Sequence, residues 1–434
     1  LGFEKLGMKA LPTIIKQNFT AYRTPLLFTS ASMIRAVATI AVGAVIAKFV
    51  LPEQLGVFTT LMLFVTYANF LQLGAVSGLN LELPLEIGRG NMEKAKRIAG
   101  TIQSFTLVSC IAVIVVGSFL FSIIKVDFNT SEEYVRFLIP IVLVMASLTF
   151  YQNYLLATFR SNSSFLKLSV IQLAEAVFNL LSIVLVVYFA FEGLILKTLL
   201  VMLFYVIILH VARPIKVAFF WDKSLLKQVI KVGFPIFILS YIEVFAVSAD
   251  KLFLLNYSTL RDVGIYSFAA YSLTAFSIFS SSVASYFYPK LTYNYGKNKN
   301  RLVLWGYVKK ITILLLIMQS VLFIICYFVV PVVITKFFLQ YVDSIPIIHL
   351  LILAGVMKGS VIGVNVLWSM KAWKSMVLYQ VGTAAVLLFC IFTLVNIYEN
   401  KSIAVAAGVL LGNIFGLVLG IYLSYKETHC EKPL

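Results

Sequence analysis

FPIFILSYIEVFAVSADKLFLLNY, residues 234–257, is apolar for the length of a membrane crossing, yet it carries Glu243, Asp250 and Lys251. About 20 apolar residues span the hydrocarbon core as a helix. A charge at the centre of such a helix costs about 2.5–3.5 kcal/mol on insertion scales. The three charges must therefore lie near an interface, be paired, or face a wet cavity.

The rest of the chain has the same character. Of its 434 residues 61% are hydrophobic and 12% charged, where soluble domains hold about 45–50% and about 25%. This is the composition of an all-α polytopic membrane protein. Spans are expected at 26–50, 56–80, 98–124, 135–157, 168–190 and 194–211, then at 233–256, 264–287, 307–330, 345–368, 377–397 and 402–424, twelve in all. FEGL alone joins the fifth span to the sixth, and YENKS joins the last two.

Charge sets the orientation. Of 35 Lys and Arg, 25 fall in one set of loops, among them Lys5 to Arg23, Arg89 to Arg97, Arg213 to Lys231 and Lys290 to Lys310. The other set holds 7: Lys48, Lys125, Arg136, Lys197, Arg261, Lys336 and Lys401. The positive-inside rule then places both termini in the cytoplasm. It also accounts for the net charge of +17 without a nucleic acid partner. The loops are short and leave no room for a soluble catalytic domain, so the chain is not expected to be an enzyme. The cysteines (Cys110, Cys326, Cys390, Cys430) and the three histidines lack the spacing of a disulfide framework or a metal site. No cleavable signal peptide is expected at the start, where residues are mixed polar and basic.

The two halves echo each other. PEQLGVFTTLMLF (52–64) matches LRDVGIYSFAAYS (260–272), with Gly56 against Gly264 at an offset of 208. The following loops pair Pro84 with Pro289 (offset 205) and Gly90 with Gly296 (offset 206). Parallel repeats of this kind are related by an axis along the membrane normal, with the substrate site between them. The halves are expected at 1–215 and 216–434.

These residues resemble a family. Pro235 near the start of the seventh span, Ala249-Asp250-Lys251, the Gly-Ile-Tyr-Ser turn at 264–267, Tyr288-Pro289-Lys290-Leu291 and LPEQLGVFTTLMLF (51–64) look like the bacterial polysaccharide flippases. Those are the O-antigen and capsule repeat-unit translocases of the multidrug/oligosaccharidyl-lipid/polysaccharide superfamily. The resemblance implies a MATE-like V of two six-helix lobes working by alternating access. It implies a polyprenyl-pyrophosphate-linked oligosaccharide as cargo, moved from the cytoplasmic to the outer leaflet of the bacterial cytoplasmic (inner) membrane. Membrane lipid and other polysaccharide assembly proteins are the expected partners. No cofactor is expected, and transport is expected to be coupled to H+ or Na+. The alternative is a cation-coupled multidrug antiporter of the same superfamily.

A pyrophosphate calls for Arg or Lys, with Arg favouring bidentate contacts. Arg35, about 14 Å into the first span at helical rise, Lys358 in the tenth and Lys251 in the seventh are the candidates. Lys251 has a second reading, in which its stem snorkels to the outer interface. Glu243, Asp250 and Glu175 are candidates for ion coupling or for a salt bridge between the lobes. Glu243 and Asp250, seven apart, are expected to share one face, and Asp250 and Lys251 to make a poor direct pair, since neighbours on a helix diverge by about 100°. Asn69, Gln72, Gln319 and Asn365 are candidates for sugar contacts or for interhelical hydrogen bonds. Three in-span bases against three in-span acids leave the sign of the cargo open.

Overall fold

The computed structural model describes residues 34–35, 38–39, 41–123, 132–277, 301–361, 364, 366–367, 370 and 372–429. Among them every regular element is helical. The order is α1 (41–49, preceded by the helical residues 34–35 and 38–39), α2 (Pro52–Ala68), α3 (Ala75–Gly88), α4 (Met92–Ile123), α5 (Glu132–Ser161), α6 (Phe165–Leu181) and α7 (Ile183–Val211). The second half follows with α8 (Lys223–Tyr257), α9 (260–277), α10 (Arg301–Phe337), α11 (Ile345–Gly359), α12 (Trp373–Ile397) and α13 (Lys401–His429). Nine crossings among the described residues are long and apolar enough to span a membrane. The other three of the expected twelve involve α1 and α9, which run into residues not described, and α6, which is cut at Ser182.

The helix ends show why the chain breaks where it does. Asp222 caps α8, accepting the amide of Leu225 at 3.0 Å. That amide, helped by Arg97 at 3.2 Å, holds the Asp222 carboxyl below the usual carboxylate range. Thr259 and Asp262 form a reciprocal capping box at the start of α9: Asp262 N–H donates to the Thr259 hydroxyl (3.2 Å) and Thr259 N–H to the Asp262 carboxylate (3.3 Å).

The second span and the fifth–sixth pair differ from the expectation. The second is not one helix over 56–80. It breaks into α2 and α3 through a 3-10 turn at Asn69–Gln72, followed by Leu73 (φ 49°) and Gly74 (φ 83°). The fifth and sixth are not joined by a four-residue loop. The helix is interrupted at Ser182, and the chain reverses at Ala190 (φ 46°, ψ −113°). Asn179 and Lys197 lie on either side of that reversal and hydrogen-bond at 2.5 Å. Eighteen residues of straight helix would hold them about 27 Å apart. Gly193 permits the tight return, since a Cβ there would stand 2.0 Å from the Leu185 carbonyl oxygen. Lys197, expected in an outer loop, is therefore well inside the bundle and only 5% exposed.

The halves meet along two glycine seams. At the end that charge assigns to the outside, here called the outer end, a Cβ on Gly56 would fall 1.9 Å from the Leu260 carbonyl oxygen. One on Gly264 would fall 1.7 Å from that of Pro52. The contact is reciprocal, glycine to the residue four before its counterpart, and it joins the two residues matched by the sequence repeat. At the other end α3 meets α8, where Gly78 lies against Val229 and Gly233 against Gly74 at 2.1 and 2.2 Å by the same measure. Pro289 and Gly296, the later repeat partners, lie outside the described residues, as does the Tyr288–Leu291 motif. Around this centre α10 and α12 bury only 11% of their apolar windows, against 50% for α13. Their outward Phe328 and Phe389 suit hydrocarbon, as expected for helices apolar all round.

Replacing Gly264 with Val is expected to force the outer seam apart and lower the melting temperature of the purified protein sharply, as core overpacking does. Gly306→Ala, where a Cβ meets nothing within 4 Å, is the control, expected to be neutral or slightly stabilising in a thermal melt.

Candidate functional site

The first half gathers charge around Glu175 of α6. Arg35 Nε lies 2.6 Å from the Glu175 carboxylate, and its guanidinium sits 5.2 Å from the centroid of the Tyr205 ring. Lys197 is within electrostatic reach of the same carboxylate while bonding Asn179. Glu175 and Lys197 are both buried, whereas the Arg35 side chain keeps 36% of its surface exposed. The ion pair joins the first and fifth spans, so Glu175 stabilises the first half internally and does not bridge the halves. Lys197 was missed because FEGL reads as a loop. The signal that would have found it is the shortness of that loop, which pulls the lysine down into the bundle.

The charges of α8 part company. Asp250 is buried and accepts the Lys251 amide at 2.7 Å, with Lys251 Nζ at 3.5 Å from the same oxygen. The expected poor pair therefore forms: four methylenes let the ammonium curl back over its neighbour. The buried Tyr266 of α9 and Tyr67 of α2 lie in the field of Asp250, and the Tyr67 hydroxyl bonds Ser248. This knot ties α8 to α9 and α2. Lys251 also lines a space of about 410 Å³ shared with Thr59 and Thr66 of α2, between the halves.

Glu243 instead points away from that knot. It lines a cavity of about 100 Å³ with Lys358, bounded by α8, α11, α12 and α13. Both side chains are exposed. So Glu243 and Asp250 do not present one acidic face to one partner.

The amides have other employment. Asn69 donates to the Val65 carbonyl (2.9 Å) and accepts from Gln72 (2.8 Å) and from Asn153 of α5 (3.0 Å), knitting the break between α2 and α3. Gln319 is fully buried on α10. Asn365 lies outside the described residues.

The outer end is latched across the halves. Gln340 donates to the carbonyls of Ala47 (2.7 Å) and Val50 (3.1 Å), and the Tyr341 hydroxyl donates to Val50 (3.0 Å). These are carbonyls at the end of α1, which have no partner within their own helix. Arg261 bridges Glu53 of the first half (3.4 Å) and Asp343 of the second (2.9 Å).

Two outcomes follow. Glu175→Gln leaves Lys197 as an uncompensated buried charge and should cost about 3 kcal/mol of stability. Glu175→Gln combined with Lys197→Met should recover most of it, as read by thermal unfolding. Separately, Gln340→Ala with Tyr341→Phe should loosen the latch. In a background freed of native cysteines, Val50→Cys is shielded from a membrane-impermeant maleimide, and the latch variants are expected to raise its labelling several-fold.

Neither a family model nor a curated protein matches the sequence. Solved structures do. The chain is similar to an inward-facing multidrug resistance MATE family transporter of the MOP superfamily, with TM-score 0.71 and 15% identity over 93% of this chain and 98% of that one. It is similar to the lipid II flippase MurJ in an inward closed conformation, with TM-score 0.74 and 14% identity over 92% and 87%. It is also similar to an outward-facing MATE family transporter, with TM-score 0.60 and 14% identity over 94% and 95%. The chain thus has the two-lobed, all-helical fold that the MATE transporters and MurJ share.

Proposed function

We propose that this protein is a flippase that carries a polyprenyl-pyrophosphate-linked oligosaccharide from the cytoplasmic to the outer leaflet of the bacterial cytoplasmic membrane. Its lobes are residues 1–215 and 216–434, and its termini are cytoplasmic. The observation that carries this reading is Lys197. With it, the charges gathered around Glu175 number two bases (Arg35, Lys197) against one acid. That cluster carries a net charge of +1 and Arg35 is its half-exposed member, so positive field remains there for a ligand. A pyrophosphate diester suits that surplus, and a cationic drug does not. Moving Lys197 out of the outer loops also sharpens the basic split from 25 against 7 to 25 against 6.

Among the described residues no ion pair involves Glu243, whereas Glu175 and Asp250 each have a cation within 4 Å. We assign it the coupling step with H+ or Na+. The same unpaired acid is what a cation-coupled multidrug antiporter would use, and the test must separate the two.

Expressed in a bacterium lacking its own repeat-unit flippase and supplied with a glycan pathway, the protein is expected to restore surface polysaccharide. Arg35→Ala should abolish export at normal membrane abundance, and Arg35→Lys should keep part of it if charge is enough. Export unaffected by Arg35→Ala would remove the anion site. Drug resistance without surface glycan would replace the flippase with the antiporter.

A further inference from the structure

The second-half cavity holds more polar chemistry than an anion site needs. Besides Glu243 and Lys358 it is lined by Tyr379, Gln380 and Thr383 of α12 and by Asn413 of α13. The Asn413 amide donates to the Val409 carbonyl (2.8 Å) and the Thr383 hydroxyl to that of Tyr379 (2.7 Å). What Thr383 offers the cavity is therefore acceptor oxygen, and what Asn413 offers is its carbonyl oxygen and its second amide N–H. Among the described residues, the Gln380 side-chain amide and the Tyr379 hydroxyl make no hydrogen bond and stay available as donors. Space is kept open by Gly416, where a Cβ would stand 3.3 Å from the Thr383 methyl and 3.7 Å from the Tyr379 hydroxyl.

Charge and size narrow the ligand. One carboxylate and one ammonium sum to zero, so an anion meets Glu243 and a cation meets Lys358. An apolar molecule would strand several polar groups, at about 1–3 kcal/mol for each one left unsatisfied. A volume of about 100 Å³ is several times what one water needs. Hydroxyls both donate and accept, so a ring bearing several of them can satisfy the donors and the acceptors of this lining alike. The Tyr379 ring adds an apolar surface with a polar tip.

We propose that this cavity is the subsite for one neutral pyranose ring, with Gln380, Thr383 and Asn413 reading its hydroxyls. The proposal rests on the reading of the cargo as a glycan, and it places sugar recognition on α12 and α13, away from Asn69, Gln72 and Gln319. It gives the two halves separate tasks, the anion on Arg35 and the sugar in the second half.

The purified full chain in nanodiscs is melted with rising concentrations of glucose, galactose, rhamnose or N-acetylglucosamine, against sorbitol at equal osmolality. At least one sugar is expected to raise the melting temperature saturably above the sorbitol control. Gln380→Leu with Asn413→Leu should weaken its half-saturation by about tenfold or more, and Gly416→Val, which fills the space, should do the same should the first variant melt too low to measure. Gly306→Ala should leave it unchanged. If no sugar exceeds sorbitol, or if the filled cavity responds like the original, the subsite is wrong. Export in cells reads the larger proposal independently: export without sugar binding removes the subsite alone, and sugar binding without export removes the flippase alone.

Discussion

The contact on which the rest of the structure depends is backbone on backbone, where Gly56 meets Leu260 and Gly264 meets Pro52. Lipid gives apolar helices no hydrophobic reason to associate, so close packing has to supply it, and small residues allow the closest approach. Here the approach leaves no room for even a methyl group. It fixes α2 against α9 at the outer end, and the polar latch depends on that placement. Only with the two helices this close do Gln340 and Tyr341 reach the free carbonyls of α1, and only then does Arg261 lie between Glu53 and Asp343. The glycines supply proximity, and the hydrogen bonds then specify one closed arrangement.

Buried charge follows a second constraint. An isolated ion in the bundle would be very costly, so each deeply placed acid has found a cation. Glu175 has Arg35 and Lys197, and Asp250 has Lys251. These pairs are local to each half and add little to contact between the halves. Burial separates the roles further. Glu175 and Lys197 are closed off, while Glu243 and Lys358 are exposed and Arg35 is half-exposed.

Much of the fold was legible in the sequence because it is written in apolar length and in the repeat. Gly56 and Gly264 were matched as repeat partners, and they touch. The site was less legible, for physical reasons. Periodicity cannot show that a single residue, Ala190, reverses the chain, so Lys197 was assigned to a loop. Neighbours on a helix diverge at Cβ, but the length of a lysine stem undoes that rule for Asp250 and Lys251. Asn69 and Gln72 read as ligands because polar residues in a span demand partners. Their partners turned out to be one another, Asn153 and the backbone freed by the break at Leu73. Gln340 and Tyr341 carried no signal at all, since their worth depends on where the end of α1 arrives.

That break has a mechanical consequence. The two seams between the halves lie on one span, Gly56 on α2 and Gly78 on α3. A straight span would couple them rigidly, so that any rotation opening the outer seam would lever against the inner one. Parting one seam while the other holds requires a break between them. The turn at 69–74 divides the span between its two seams, and Asn69, Gln72 and Asn153 satisfy the polar groups it frees without splinting α2 to α3 as a continuous helix. The left-handed residues Leu73 and Gly74 make that division, and Gly74 is held where it packs against the Phe234 backbone of α8.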